Sequence, residues 1–179
     1  MMRSLNEISG MVLKAARGAG VPLGHCEDLA AAAGYIAATD PEALGIFGAV
    51  FGASHDAPTC TSHGDTTTIS TGSVAMAGPL AVDAIGAGAR DVRLCNVSAP
   101  TLVFALFAVR GFAVSHRFEG VDLIVTTTSD AAPPAPVVGP AVVSDQLWQT
   151  LADFAAKTYV PASEASRMAG AGAGLTDND

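Results

Sequence analysis

The densest group of reactive side chains is His55-Asp56-Ala57-Pro58-Thr59-Cys60-Thr61-Ser62-His63-Gly64-Asp65. Imidazole, thiolate and carboxylate are the ligand types that zinc and other borderline divalent metals select. Folded as a loop, the segment would gather His55, Cys60 and His63 on one metal. A fourth position would stay open for water, with Asp65 as base or outer partner. The spacing matches no strong zinc signature. A solvated polar loop, which collects His, Asp and Thr because it faces water, fits the same residues.

A second group closes the chain, from Tyr159 to Asp179. Arg167 there offers a planar guanidinium that can clamp a carboxylate or phosphate, and Ser163 and Ser166 offer hydroxyl donors. Glu164, Asp177 and Asp179 are potential bases or cation ligands. Gly170, Gly172 and Gly174 permit close backbone approach. Their alternation is no dinucleotide fingerprint, which needs a strand before it and a helix after it. Two readings stand for this tail: a wall of an anion site, or a frayed glycine-rich end.

Single residues carry less. His25 beside Cys26 suggests a reactive thiol, but a buried structural cysteine is the commoner outcome for such a position. His116 lies within a β-prone run and reads as a half-exposed sheet residue rather than a catalyst. No Gly-x-Ser-x-Gly elbow supports a hydrolase.

The elements that must position these groups are partly legible. Ser4-Leu5-Asn6-Glu7 reads as a capping box, followed by Leu5, Ile8, Val12 and Ala15 at helical spacing until Gly18-Ala19-Gly20. A second, alanine-faced helix is expected over 26–38. A third should open at Asp40-Pro41, with Asp40 as N-cap, and run through Leu44, Phe47 and Val50. Residues 1–51 thus form a helical layer.

A polar, turn-rich stretch over 52–65 precedes a sheet region over 66–128. Residues 66–70 are β-prone, and 73–76 are expected to return as a strand. Residues 92–98 read as a strand, whereas 80–84 and 101–109 fit strand or helix equally. Residues 112–118 and 121–128 are the clearest strands, joined by a hairpin turn at Glu119-Gly120. A proline-rich connector covers 131–140. A helix over 144–158 is capped by Ser144, with Leu147, Trp148, Leu151, Phe154 and Ala155 facing inward, and the glycine-rich tail follows over 159–179. The expected class is a single-domain α+β fold: an N-terminal helical layer, a central mostly antiparallel sheet, and a C-terminal helix with its tail.

Composition narrows the functional classes. Half the residues are hydrophobic and only 15% are charged, so the chain has the means to build a core. Its 9 basic against 17 acidic residues argue against nonspecific binding to nucleic acid or an anionic membrane surface. Three scattered cysteines form no disulfide framework. Residues 1–8 show no signal core, and the apolar run over 101–109 is too short to span a bilayer. The expectation is a soluble, cytoplasmic protein.

The opening Ser4-Leu5-Asn6-Glu7-Ile8, leading into Lys14-Ala15-Ala16-Arg17-Gly18-Ala19-Gly20, has a counterpart at the other end of the chain. There Tyr159-Val160-Pro161-Ala162-Ser163-Glu164-Ala165-Ser166-Arg167 precedes the glycine alternation and Asp177-Asn178-Asp179. Together these motifs resemble domain-of-unknown-function family 3726, a family of uncharacterised bacterial proteins. The resemblance brings no activity, cofactor or catalytic residue with it, but it favours an ordered, functional tail. Three functions are therefore expected, from different classes. The first is binding or transformation of a small anionic metabolite, with Arg167, Ser166, Ser163, Glu164, Gly170 and Gly172 at the site and Arg17 joining if the two ends meet. The second is a structural role as a homo-oligomer. The third is metal-dependent catalysis through His55, Cys60 and His63.

Overall fold

In the computed structural model, residues 1–70, 73–130, 136 and 139–158 are described. After a two-residue strand β1 (Met2–Arg3), the capping box starts helix α1 (Leu5–Gly18) as expected. Glu7 N donates to Ser4 Oγ at 3.2 Å, while Ser4 N donates to Glu7 Oε2 at 2.9 Å. Helix α2 (Leu23–Thr39) begins earlier than the alanine pattern suggested and buries Cys26, Leu29, Ala32, Ala33 and Ile36. Small residues let α1 and α2 approach closely: a Cβ on Gly34 would lie 2.8 Å from Ser9 Oγ.

The expected third helix is divided. Residues Pro41–Gly45 form a 3-10 turn, and helix α3 (Ile46–Gly52) follows it. Pro41 forces Asp40 into an extended conformation (φ −149°), and the Asp40 side chain makes no capping hydrogen bond.

The polar stretch before residue 66 contains a strand the sequence did not announce. β2 (Thr59–His63) pairs antiparallel with β3 (Thr66–Ser70). All five β2 residues are exposed, so no alternation of apolar and polar residues marks it. Residues 73–76, expected as a strand, instead open helix α4 (Val74–Gly86). The reason is topological: β3 runs parallel to β4 (Asp91–Cys95), and a parallel pair needs a long crossover, which α4 supplies.

The ambiguous run over 101–109 is helix α5 (Pro100–Val109), started by Pro100 in its first turn. β5 (Val114–Glu119) and β6 (Asp122–Thr127) form the expected hairpin, but its turn residues are Gly120 and Val121, because Glu119 pairs with Asp122. Gly120 takes φ 64°, the left-handed conformation that glycine tolerates. β7 (Ala141–Val142) pairs with β1, and Ser144 caps the last helix, α6 (Asp145–Ala156).

The result is an α+β fold with a five-stranded mixed sheet, ordered β2-β3-β4-β6-β5, and a separate β1-β7 ladder. Among the described residues only the β3-β4 pair is parallel. Two helices are interleaved among the strands, which corrects the expected sequence of helices, then strands, then helix. Register puts Ile69, Val92, Leu94, Leu123 and Val125 on one sheet face, all buried. Helix α4 packs on that face, α5 packs on α4, and α2 packs on α5. Helix α1 then packs on α2, and α6 on α1. Helices packed between layers bury most of their surface, which is why α4 and α5 are largely apolar and show little helical periodicity. Among the described residues no helix is long and apolar enough to cross a membrane.

Candidate functional site: an aromatic cleft beside the edge strand

The residues expected to bind metal are not brought together. Cys60 and His63 are three positions apart on β2, so their side chains leave opposite faces of the sheet. Cys60 pairs with Ile69 and His63 with Thr66. His55 precedes the strand, with Nδ1 at hydrogen-bond distance (3.0 Å) from Ser73 Oγ. Burial lowers its pKa from the ordinary imidazole value, opposed by a hydrogen bond with the Phe51 backbone. Among the described residues no group of three or more His, Cys, Asp or Glu side chains gathers as a metal site.

Cys26 behaves as a structural cysteine. Its thiol is buried and donates to the Val21 carbonyl at 3.2 Å. Burial raises its pKa, against a weaker opposing pull from Arg17. The tail residues Ser163, Glu164, Ser166, Arg167, Gly170 and Gly172 lie outside the described residues. The Gly18 end of α1 is met by α6: a Cβ on Gly18 would lie 1.8 Å from the Phe154 carbonyl oxygen.

A different place has the makings of a site. The C-terminal end of α2, the exposed side of α5 and the start of β5 enclose a cleft of about 480 Å³. Such a volume is typical of small-molecule sites. Tyr35, Phe104 and Phe112 supply aromatic walls, and His116, Asp40 and Asp130 supply polar groups.

Each wall has a local cause. The alternation of β5 turns Val114, His116 and Phe118 to the same side as buried Leu123 and Val125. Because β5 is an edge strand, His116 reaches the margin of the helical layer rather than its centre. There its ring meets that of Phe104 at 4.3 Å between centroids, tilted by 38°. Phe118 continues the row, 6.2 Å from His116 and nearly perpendicular to it. Gly111, at φ 73°, turns the chain out of α5, and Phe112 then packs edge-on against buried Phe107.

The polar atoms of the cleft are only partly used within the fold. Thr39 Oγ1 donates to the Tyr35 carbonyl at 2.9 Å, closing the end of α2. Thr128 N donates to the Ala113 carbonyl, but buried Thr128 Oγ1 has no hydrogen-bond partner among the described residues. Leaving a buried hydroxyl unpaired costs about 1–3 kcal/mol. A cleft of this kind can hold a flat apolar body, hydrogen-bond its polar end, and place an imidazole against it.

His116 was read from the sequence as a plain sheet residue, and Tyr35, Asp40, Phe104 and Thr128 were not singled out as site residues. They are spread from 35 to 128 and share no motif. One local signal was present: a carboxylate at the C-terminal end of a helix opposes the helix dipole, and Asp40 sits there.

Comparison with known proteins bears on the N-terminal part of this arrangement. Residues 3–60 match a family described as protein of unknown function (DUF3726). The match covers α1 to α3, including the Tyr35 and Asp40 wall, and takes in the Ser4 to Gly20 motif. It also reaches His55 and Cys60. No curated protein and no solved structure matches the chain.

Proposed function

Taking the match of residues 3–60 to the DUF3726 family of unknown function as a starting point, we propose that this protein is a small-molecule-binding domain whose site is the α2–α5–β5 cleft. The observation that carries the reading is the stacking of His116 on Phe104 in a cavity of ligand size. An imidazole held against an aromatic ring at the rim of a preformed cleft is placed to hydrogen-bond a ligand while the rings sandwich its body.

The test is a screen of flat aromatic fragments by two-dimensional amide NMR. Binding should shift residues 35–40, 101–108, 112–116 and 128 together, and a His116→Ala, Phe104→Leu double variant should lose the shifts while keeping a native spectrum. Fragments that bind only elsewhere, or none that bind, would reject the cleft.

The anionic-metabolite reading of the tail is a separate proposal. The family match does not reach that end, but because no Lys or Arg lines the cleft among the described residues, an anion would need Arg167. Deleting the residues after Ser163 should abolish binding of inorganic phosphate. Retained phosphate binding rejects that site, and native mass spectrometry of the same sample tests the homo-oligomer reading.

A further inference from the structure

Resting on the cleft as the binding site, we infer that its ligand is an organic cation, a protonated or quaternary amine carried on an apolar or aromatic body. Three independent features of the walls share one sign. First, the charged side chains lining the cleft are Asp40 and Asp130, and neither carboxylate has a hydrogen-bond or ion-pair partner among the described residues. Some acids elsewhere in the fold are paired, while among the described residues Glu27, Glu42, Asp65 and Asp83 are not. Glu119 and Asp122 both engage Arg93, and Asp28 engages Arg110.

Second, the cleft lies at the C-terminal end of α2, a 17-residue helix whose last turn contains no basic residue. The exposed carbonyls there form the negative pole of the helix, which attracts cations and repels carboxylates. Asp40 is therefore a negative charge added to a negative pole. It is not there as a cap, since its side chain makes no capping bond to the turn that follows.

Third, the remaining walls are the rings of Tyr35, Phe104 and Phe112. Aromatic faces are electron-rich and attract cations, and rings combined with carboxylates are the recognition chemistry of ammonium groups. The net charge of −8 draws cations toward the surface in general, while the cleft selects those with an apolar body.

The experiment titrates the intact protein with benzyltrimethylammonium, benzyl alcohol and benzoate, following amide NMR shifts at the cleft residues. The cation should bind about tenfold more tightly than benzyl alcohol, benzoate should bind most weakly, and added salt should erode the difference. Asp40→Asn and Asp130→Asn should each weaken the cation about threefold while leaving benzyl alcohol unchanged. If benzyl alcohol or benzoate binds the cleft as tightly as the cation, the inferred ligand class is wrong and the cleft reading stands. If none of the three shifts the cleft residues, both fall together.

Discussion

The imidazole of His116 lies against the ring of Phe104, 4.3 Å between centroids, although the two residues belong to different elements, an edge strand and a helix. The contact fixes the rim of the cleft. An aromatic pair contributes about 0.5–1.5 kcal/mol when well packed, and at an exposed histidine the lower end applies. The ring current of Phe104 should move the His116 ring protons upfield, and Phe104→Leu should return them to ordinary positions. His116→Ala should change unfolding stability by about 0.5 kcal/mol or less, as for an exposed site. Unshifted ring protons in the wild type would contradict the stacking.

Gly18 and Gly10 lie on the same helix and should respond in opposite directions. A methyl group at Gly18 would overlap the Phe154 backbone, so Gly18→Ala must push α6 away from α1. A loss of about 1–3 kcal/mol is expected, as for other overpacked sites. Gly10 has open space around its Cβ position, so Gly10→Ala should stabilise by about 0.5–1 kcal/mol through helix propensity. Urea denaturation of the two variants measures both, and equal effects would remove the steric argument.

Ser144 holds the start of α6 through a single hydrogen bond, accepted by its Oγ from Leu147 N at 3.1 Å. Ser144→Ala should cost about 1 kcal/mol, and Ser144→Asp should restore the cap. The comparison by urea denaturation separates a capping role from loss of bulk, since only the capping role is rescued by aspartate.

His55 should make stability fall on mild acidification. Burial holds its folded-state pKa below 6.5, the ordinary imidazole value, so well above that pH the ring is neutral in both states and carries no penalty. As pH falls through 6.5 the unfolded chain takes up its proton first, and stability declines until the folded-state pKa is reached. Urea midpoints measured from pH 7.5 to 5 should show this decline, and His55→Phe should flatten it. An unchanged slope in the variant would assign the decline to other groups.

Features written in neighbouring residues were legible from the start. The Ser4–Glu7 capping box acts across three residues, the Ser144 cap across three, and the β5–β6 hairpin shows runs of β-prone residues flanking a glycine. Each is a short-range interaction, so residue type and spacing suffice to predict it. β2 was missed because its Thr, Cys, Ser and His residues are all exposed, and pairing with β3 rather than burial makes it a strand. Residues 73–76 were misread because a fully buried helix start and a buried strand show the same apolar run.

The chain by itself determined an α+β protein with a capped N-terminal helix, an amphipathic last helix and an acidic surface, because caps, periodicity and charge are properties of local sequence. Tertiary structure decided that α4 and α5 are helices packed between a sheet and other helices, since burial of most of their surface weakens the periodicity that would have named them. It also decided the site. His55, Cys60 and His63 stand close in sequence and are separated by the pleat of a strand, whereas Tyr35, Asp40, Phe104 and His116 stand far apart and meet where the end of α2 crosses α5 and β5. Contacts between residues so distant along the chain arise from packing, which leaves no pattern in the neighbours of any one of them.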